Sequence, residues 1–126
     1  GAQADLLDRF RSWHQARARL CAPAILLPEA VSVIRRAVFE HWISAAEAAD
    51  AVDDLFRLGV EILDSGSALC RAALVWAGRV GQAKASGGFY LAAAESVGAE
   101  LWTADERLRN RARLLGLSWV HGPAEG

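Results

Sequence analysis

Two carboxylates of this chain stand where alternating strand–helix proteins do their chemistry. Glu29 follows the apolar run Leu20–Leu27 and begins the next helical pattern; Asp105 follows Ala99–Thr103 and begins another. In a parallel sheet, ligands bind at the carboxyl ends of the strands, where the following helices start. Acids gathered there can hold Mg²⁺ or Mn²⁺, which favour oxygen ligands. Such a metal activates water for in-line attack on a phosphodiester and neutralises the developing charge. The same positions have a plain structural reading. An acid in a helix's first turn is favoured by the dipole, by a few tenths to ~1 kcal/mol. Glu29 after Pro28, and Asp105 between Thr103 and Glu106, are each what a good helix start contains. Spacing alone leaves both readings open.

Other catalytic signatures are absent. The sequence holds no GxxxxGK[ST], no GxGxxG after a strand, no GxSxG and no HExxH. His14, His41 and His121 are far apart and read as surface or helix-end residues. Cys21 and Cys70 lie among apolar residues without CxxC spacing, so buried thiols are expected rather than a disulfide or a zinc site. A reducing cytoplasm is the default compartment. The sharpest charge cluster is Arg107, Arg109, Arg111 and Arg113. At helical spacing 107/111 and 109/113 form two stripes. They read as a solvated face, with an RNA phosphate contact as the alternative. Arg35 and Arg36 are expected on the solvated side of their helix, and Tyr90 and Trp102 as core or strand-face aromatics.

The elements that must position these residues alternate. Leu6, Leu7, Phe10 and Trp13 recur at helical spacing from Asp5 onward. Leu20–Leu27 reads as a short strand whose paired part begins after Pro23, which cannot donate to a ladder. Pro28 suits the first turn of a helix running to about Trp42. Ser44-Ala-Ala-Glu47 is a capping box opening a helix that Gly59 stops. Val60–Leu63 is a strand, Ala68–Val80 a helix closed by Gly81, and Gln82–Gly88 a loop. Phe89–Val97 is helical, Ala99–Thr103 a strand, and Thr103-Ala-Asp-Glu106 a second capping box opening a helix to Leu115. Leu117–His121 is the last strand. This α-β-α-α-β-α-α-β-α-β order predicts an α/β fold, with at least three parallel strands in one sheet and helices on both faces. Doubly wound domains usually open with a strand, and this chain opens with a helix.

Composition sets the bounds. The 126 residues fit one domain and one core. Hydrophobic residues make up 53%, but 26 are alanine, so Trp, Phe, Leu, Val and Ile must supply the core. With 23% charged residues and a net charge of −1, neither disorder nor non-specific coating of nucleic acid is expected. No apolar run is long enough to span a bilayer, and no signal segment opens the chain.

The segment Phe89-Tyr-Leu-Ala-Ala-Ala-Glu-Ser-Val-Gly-Ala-Glu-Leu-Trp-Thr-Ala-Asp-Glu-Arg-Leu108 resembles the C-terminal half of PIN domains. More narrowly, it resembles the VapC-type toxin ribonucleases of prokaryotic toxin–antitoxin pairs. Their pattern there is Tyr-Asp-Ala-x-Tyr-Leu-Ala-Leu-Ala-Glu, then a strand ending Leu-x-Thr-x-Asp-x-x-Leu. Upstream, Leu27-Pro-Glu-Ala-Val-Ser-Val-Ile-Arg-Arg36 is similar to the family's Glu-Val-x-Asn-x-Leu-Arg-Arg helix. The resemblance spans roughly Asp5 to His121. It implies a single three-layer PIN-like domain over 3–123; by sequence, 1–2 read as an expression remnant and 124–126 as a loose tail.

The resemblance further implies a metal site of three or four acids, in which Glu29 matches the second and Asp105 the last. Two positions depart from it. No N-terminal strand ending in Asp is found, and Asp5 lies in a helical pattern instead. The third acid falls at Gly87, so that Ser86-Gly87 stands where Tyr-Asp is expected. The implied protein is therefore related to metal-dependent ribonucleases, with an incomplete acidic site and weak or no activity. It would use Mg²⁺ or Mn²⁺ on RNA if active. The alternative is a non-catalytic protein-interaction module that retains the fold. A homodimer and an antitoxin partner are also implied, with Trp13, Val38 and Trp42 offering dimer surface and no membrane involved. Glu29 and Asp105 should then meet at the carboxyl end of the sheet, with Gly87 lining the same cleft.

Overall fold

The structure, a computed structural model, describes residues 2–123, with side chains from Asp8 onward. Asp5, Leu6 and Leu7 are thus seen as backbone only; the Leu6 and Leu7 side chains of the first stripe and the tail 124–126 lie outside the described residues. Ten elements alternate as α1 (Ala2–Gln15), β1 (Cys21–Pro23), α2 (Leu26–Phe39), α3 (Ala45–Arg57), β2 (Glu61–Leu63), α4 (Ser67–Val80), α5 (Ser86–Val97), β3 (Leu101–Trp102), α6 (Glu106–Leu114) and β4 (Val120–His121). Both helix and strand are present, and every strand pairing is parallel. No described helix is long and apolar enough to cross a membrane.

The chain forms two compact units. Leu20–Asp64 makes one, and the flanking segments make the other. In the Leu20–Asp64 unit, β1 pairs with β2, Cys21 opposite Glu61 and Pro23 opposite Leu63. The expected Leu20–Leu27 strand is shorter than read, and its paired part ends at Pro23 instead of beginning after it. Two hydrogen bonds give the reason. Glu61 N–H donates to Leu20 O (2.8 Å) and Ala24 N–H donates to Leu63 O (3.2 Å). Residues 20 and 24 therefore turn towards β2, and by alternation Pro23 turns away, where its missing donor costs the ladder nothing. The next helix, α2, ends at Phe39 rather than Trp42, because His41 turns into the left-handed region at φ 60°. Ser44 caps α3 as read: Glu47 N–H donates to Ser44 Oγ (3.0 Å) and Ser44 N–H donates to Glu47 Oε1 (2.9 Å).

In the other unit, β3 pairs with β4, Leu101 opposite Val120 and Trp102 opposite His121. Its core is built by α4, α5 and α6 around Ala73, Trp76, Val80, Leu91, Ala92, Leu108, Ala112 and Val120. Gly88 lets α5 lie directly on α4: a Cβ there would collide with the Ala73 carbonyl oxygen. Gly81 and Gly98 close α4 and α5 in the left-handed conformation. The expected loop Gln82–Gly88 is shorter than read, since α5 already starts at Ser86.

One expectation is corrected by the pairing. Val60–Leu63 and Ala99–Thr103 contribute to two separate ladders, β1–β2 and β3–β4, not to one sheet of three or more strands. Among the described residues the two ladders have no strand in common.

Candidate functional site

Asp105 ends the β3 connection as the N-cap of α6. Its own N–H donates to Thr103 Oγ1 (3.0 Å), and its Oδ1 accepts from Leu108 N–H (3.1 Å). The cap is thus Asp105, not Thr103 as the Thr-x-x-Glu spacing predicts. The hydroxyl is used two residues on, tightening the turn, and so cannot reach the third amide of a helix. Asp105 is exposed, and one carboxylate oxygen is committed to the cap.

Gly87 adjoins this turn. It is buried in the first turn of α5. A Cβ at Gly87 would stand 3.3 Å from Leu108 Cδ1, on the residue whose amide Asp105 caps, and 2.5 Å from Gln82 Oε1. The space that a side chain at 87 would enter is therefore taken by the Gln82 carboxamide, a neutral oxygen and not an anion. Glu29 sits half-buried in the first turn of α2, in the Leu20–Asp64 unit, where its N–H donates to Ile25 O (3.2 Å). Asp105 and Gly87 belong to the other unit, so these three positions fall as two and one.

Among the described residues no three His, Cys, Asp or Glu side chains gather as a metal would need. Beside Gly87 stands one carboxamide, that of Gln82, and the Asp105 carboxylate is partly used by its helix cap. A divalent cation of octahedral preference needs more oxygen ligands than that, and waters would have to supply the rest. This donor set does not fit a resident Mg²⁺ or Mn²⁺.

A second cluster was not legible as such in the sequence. Trp102 carries the Arg9 guanidinium 4.6 Å from its ring centroid, the edge-on Trp13 ring at 5.5 Å, and the tilted His121 ring at 4.7 Å. His121 Nε2 lies 3.4 Å from Glu100 Oε1. His121 is accordingly half-buried in a strand pair rather than at the surface. The register explains it, since Trp102 and His121 are directly opposed and share one face of the ladder. Only the β3–β4 pairing reveals that juxtaposition. The cation–π and edge contacts tie α1 to the ladder, and they leave Trp13 half-buried.

The arginine stripes of α6 resolve unevenly. Arg107, Arg111 and Arg113 are exposed, whereas Arg109 is half-buried, its guanidinium against Gly122 and its Nε shielded from solvent. Arg35 and Arg36 are exposed, as read. Cys21 and Cys70 are free thiols; Cys21 is half-buried, but Cys70 is exposed on α4. No protein-family model matches the chain, and no curated protein is significantly similar to it.

Proposed function

We propose that the chain is a PIN-like protein related to the toxin–antitoxin ribonucleases, with an acidic site too incomplete for more than weak cleavage of RNA. The observation that carries this reading is the run from α5 to α6. There the segment resembling the family folds as helix, parallel strand and N-capped helix, with Asp105 at the carboxyl end of β3 and Gly87 against the same turn.

On this reading Glu29 and Asp105 are the retained acids, and the third has been replaced by Gly87 with the Gln82 carboxamide in its space. On this reading the site holds a cation only weakly. The neutral filling of Gly87's neighbourhood equally favours the non-catalytic reading, in which the fold serves protein interaction. Isothermal titration with Mn²⁺ and a fluorogenic RNA assay distinguish the two. The chain itself is expected to bind Mn²⁺ weakly and cleave little RNA. Gly87→Asp combined with Gln82→Ala adds an anionic ligand where there is room for it, and should raise Mn²⁺ affinity. Tight metal binding and turnover by the unaltered chain, abolished in Asp105→Asn, would overturn the proposal of an impaired site.

A further inference from the structure

Two arginines from opposite ends of the chain meet one backbone segment. Gly122 and Pro123 follow the end of β4 and are both buried. Arg9 of α1 donates from Nε to Pro123 O (3.5 Å) and lays its guanidinium on the Trp102 ring. Arg109 of α6 packs its guanidinium against Gly122, where a Cβ would collide with it. All these residues lie in one compact unit. Both arginines are half-buried, so each cation has lost part of its hydration.

That loss is not offset by a carboxylate. Asp8 is engaged with Arg11, Glu100 with His121, and Asp105, one turn before Arg109, with the Leu108 amide. Among the described residues neither Arg9 nor Arg109 makes an ion pair. Arg109 Nε is shielded from solvent without a hydrogen-bond partner, whereas its terminal nitrogens are not enclosed in this way. A cation that has given up water without gaining an anion is unfavourable, and an anion supplied at the same place relieves it. Stacking on Trp102 leaves the in-plane N–H groups of Arg9 beyond Nε for such a role. The place is also the one where parallel strands receive ligands, just outside their carboxyl ends. We infer that Arg9 and Arg109 form a phosphate site at the carboxyl end of the β3–β4 ladder, binding inorganic phosphate or a phosphate monoester through their terminal nitrogens. Two guanidiniums match a group with roughly −1.5 to −2 charge at pH 7 and three acceptor oxygens better than a singly charged carboxylate. Gly122 belongs to the site because a side chain there would take the place of the Arg109 guanidinium.

The inference does not rest on the nuclease reading: Glu29, Asp105 and Gly87 take no part in it, and its failure leaves that reading untouched. Isothermal titration of the full chain with inorganic phosphate, and with acetate at matched ionic strength, tests it. Phosphate should bind saturably at one site and acetate at least tenfold more weakly. Glycerol 3-phosphate binding as tightly as inorganic phosphate would assign an esterified ligand, and binding of inorganic phosphate alone would assign the free ion. Arg9→Gln and Arg109→Gln should each weaken phosphate binding roughly tenfold or more, the loss of a charged hydrogen-bond partner. Gly122→Ala keeps both arginines and the net charge, and should weaken it too by displacing Arg109. Arg107→Gln, on the exposed side of α6, should leave affinity unchanged. Absence of saturable phosphate binding by the unaltered chain would overturn the inference, and that result needs no variant to fold. So would equal affinities for phosphate and acetate, or a loss in Arg107→Gln as large as in Arg109→Gln.

Discussion

Asp105 has two roles that substitution can separate. As N-cap it accepts the Leu108 amide, and as a carboxylate it offers charge. Asparagine caps about as well as aspartate, while alanine costs ~1 kcal/mol. Thermal unfolding should therefore leave Asp105→Asn near the parent chain and lower the midpoint of Asp105→Ala by several degrees. Any residual Mn²⁺ binding should be lost equally in both. Equal midpoints for the two variants would show that the cap contributes nothing. Glu47 offers a pH-dependent counterpart. The Ser44 amide donates to its carboxylate, with the Ser44 hydroxyl assisting, and its pKa is held below the usual glutamate value. A depressed folded-state pKa stabilises above the unfolded value, and that contribution disappears as the pH falls through the folded one. Acid titration of α3 helicity should show a loss in the carboxylate range that Glu47→Gln removes. An unchanged acid profile in that variant would assign the titration to other groups.

At the scale of elements, close packing of α4 on α5 is the most constrained feature. Gly88 meets the Ala73 carbonyl where a methyl has no room, and the listener on the other side is backbone, which cannot rotate away. Gly88→Ala should cost ~1–3 kcal/mol or more by overpacking. Gly87→Ala should cost less, because what it meets first is the end of the Gln82 side chain, and Gln82→Ala should relieve it. Denaturant midpoints for the four proteins test this order; Gly87→Ala proving the worse of the two glycine substitutions would refute it. Leu91, fully buried between these helices, should cost ~2–5 kcal/mol on truncation to alanine, the usual range for a leucine that leaves a cavity.

For the whole molecule, the two units differ in what they bury. The unit containing α4, α5 and α6 holds the core cluster, with Val80, Leu91 and Leu108 fully enclosed. The Leu20–Asp64 unit buries only Ala22 and Pro23, and its helices bury nothing. Segments with few buried apolar contacts open at lower free energy. Amide hydrogen exchange should therefore be faster throughout α2 and α3 than in α4 and α5. Uniform protection across both units would contradict the asymmetry.

What the sequence determined alone was local. Helical spacing, the Ser44–Glu47 box and the left-handed glycines 59, 81, 98 and 116 set the element order, because caps and periodicity act within a few residues. Glu29 and Asp105 were legible as positions of interest through their place at helix starts and the family resemblance, and Gly87 through the resemblance alone. Tertiary structure decided the rest. Whether Pro23 ends or begins a paired segment depends on which edge β2 takes, and Thr103 loses the cap to Asp105 through turn geometry that a four-residue motif does not encode. That Gln82 fills the space beside Gly87, and that Trp102 contacts both Arg9 and His121, follows from contacts between distant segments. So does the division of four parallel strands into two ladders, because strand pairing is a choice among partners and no strand carries its neighbour's identity in its own residues.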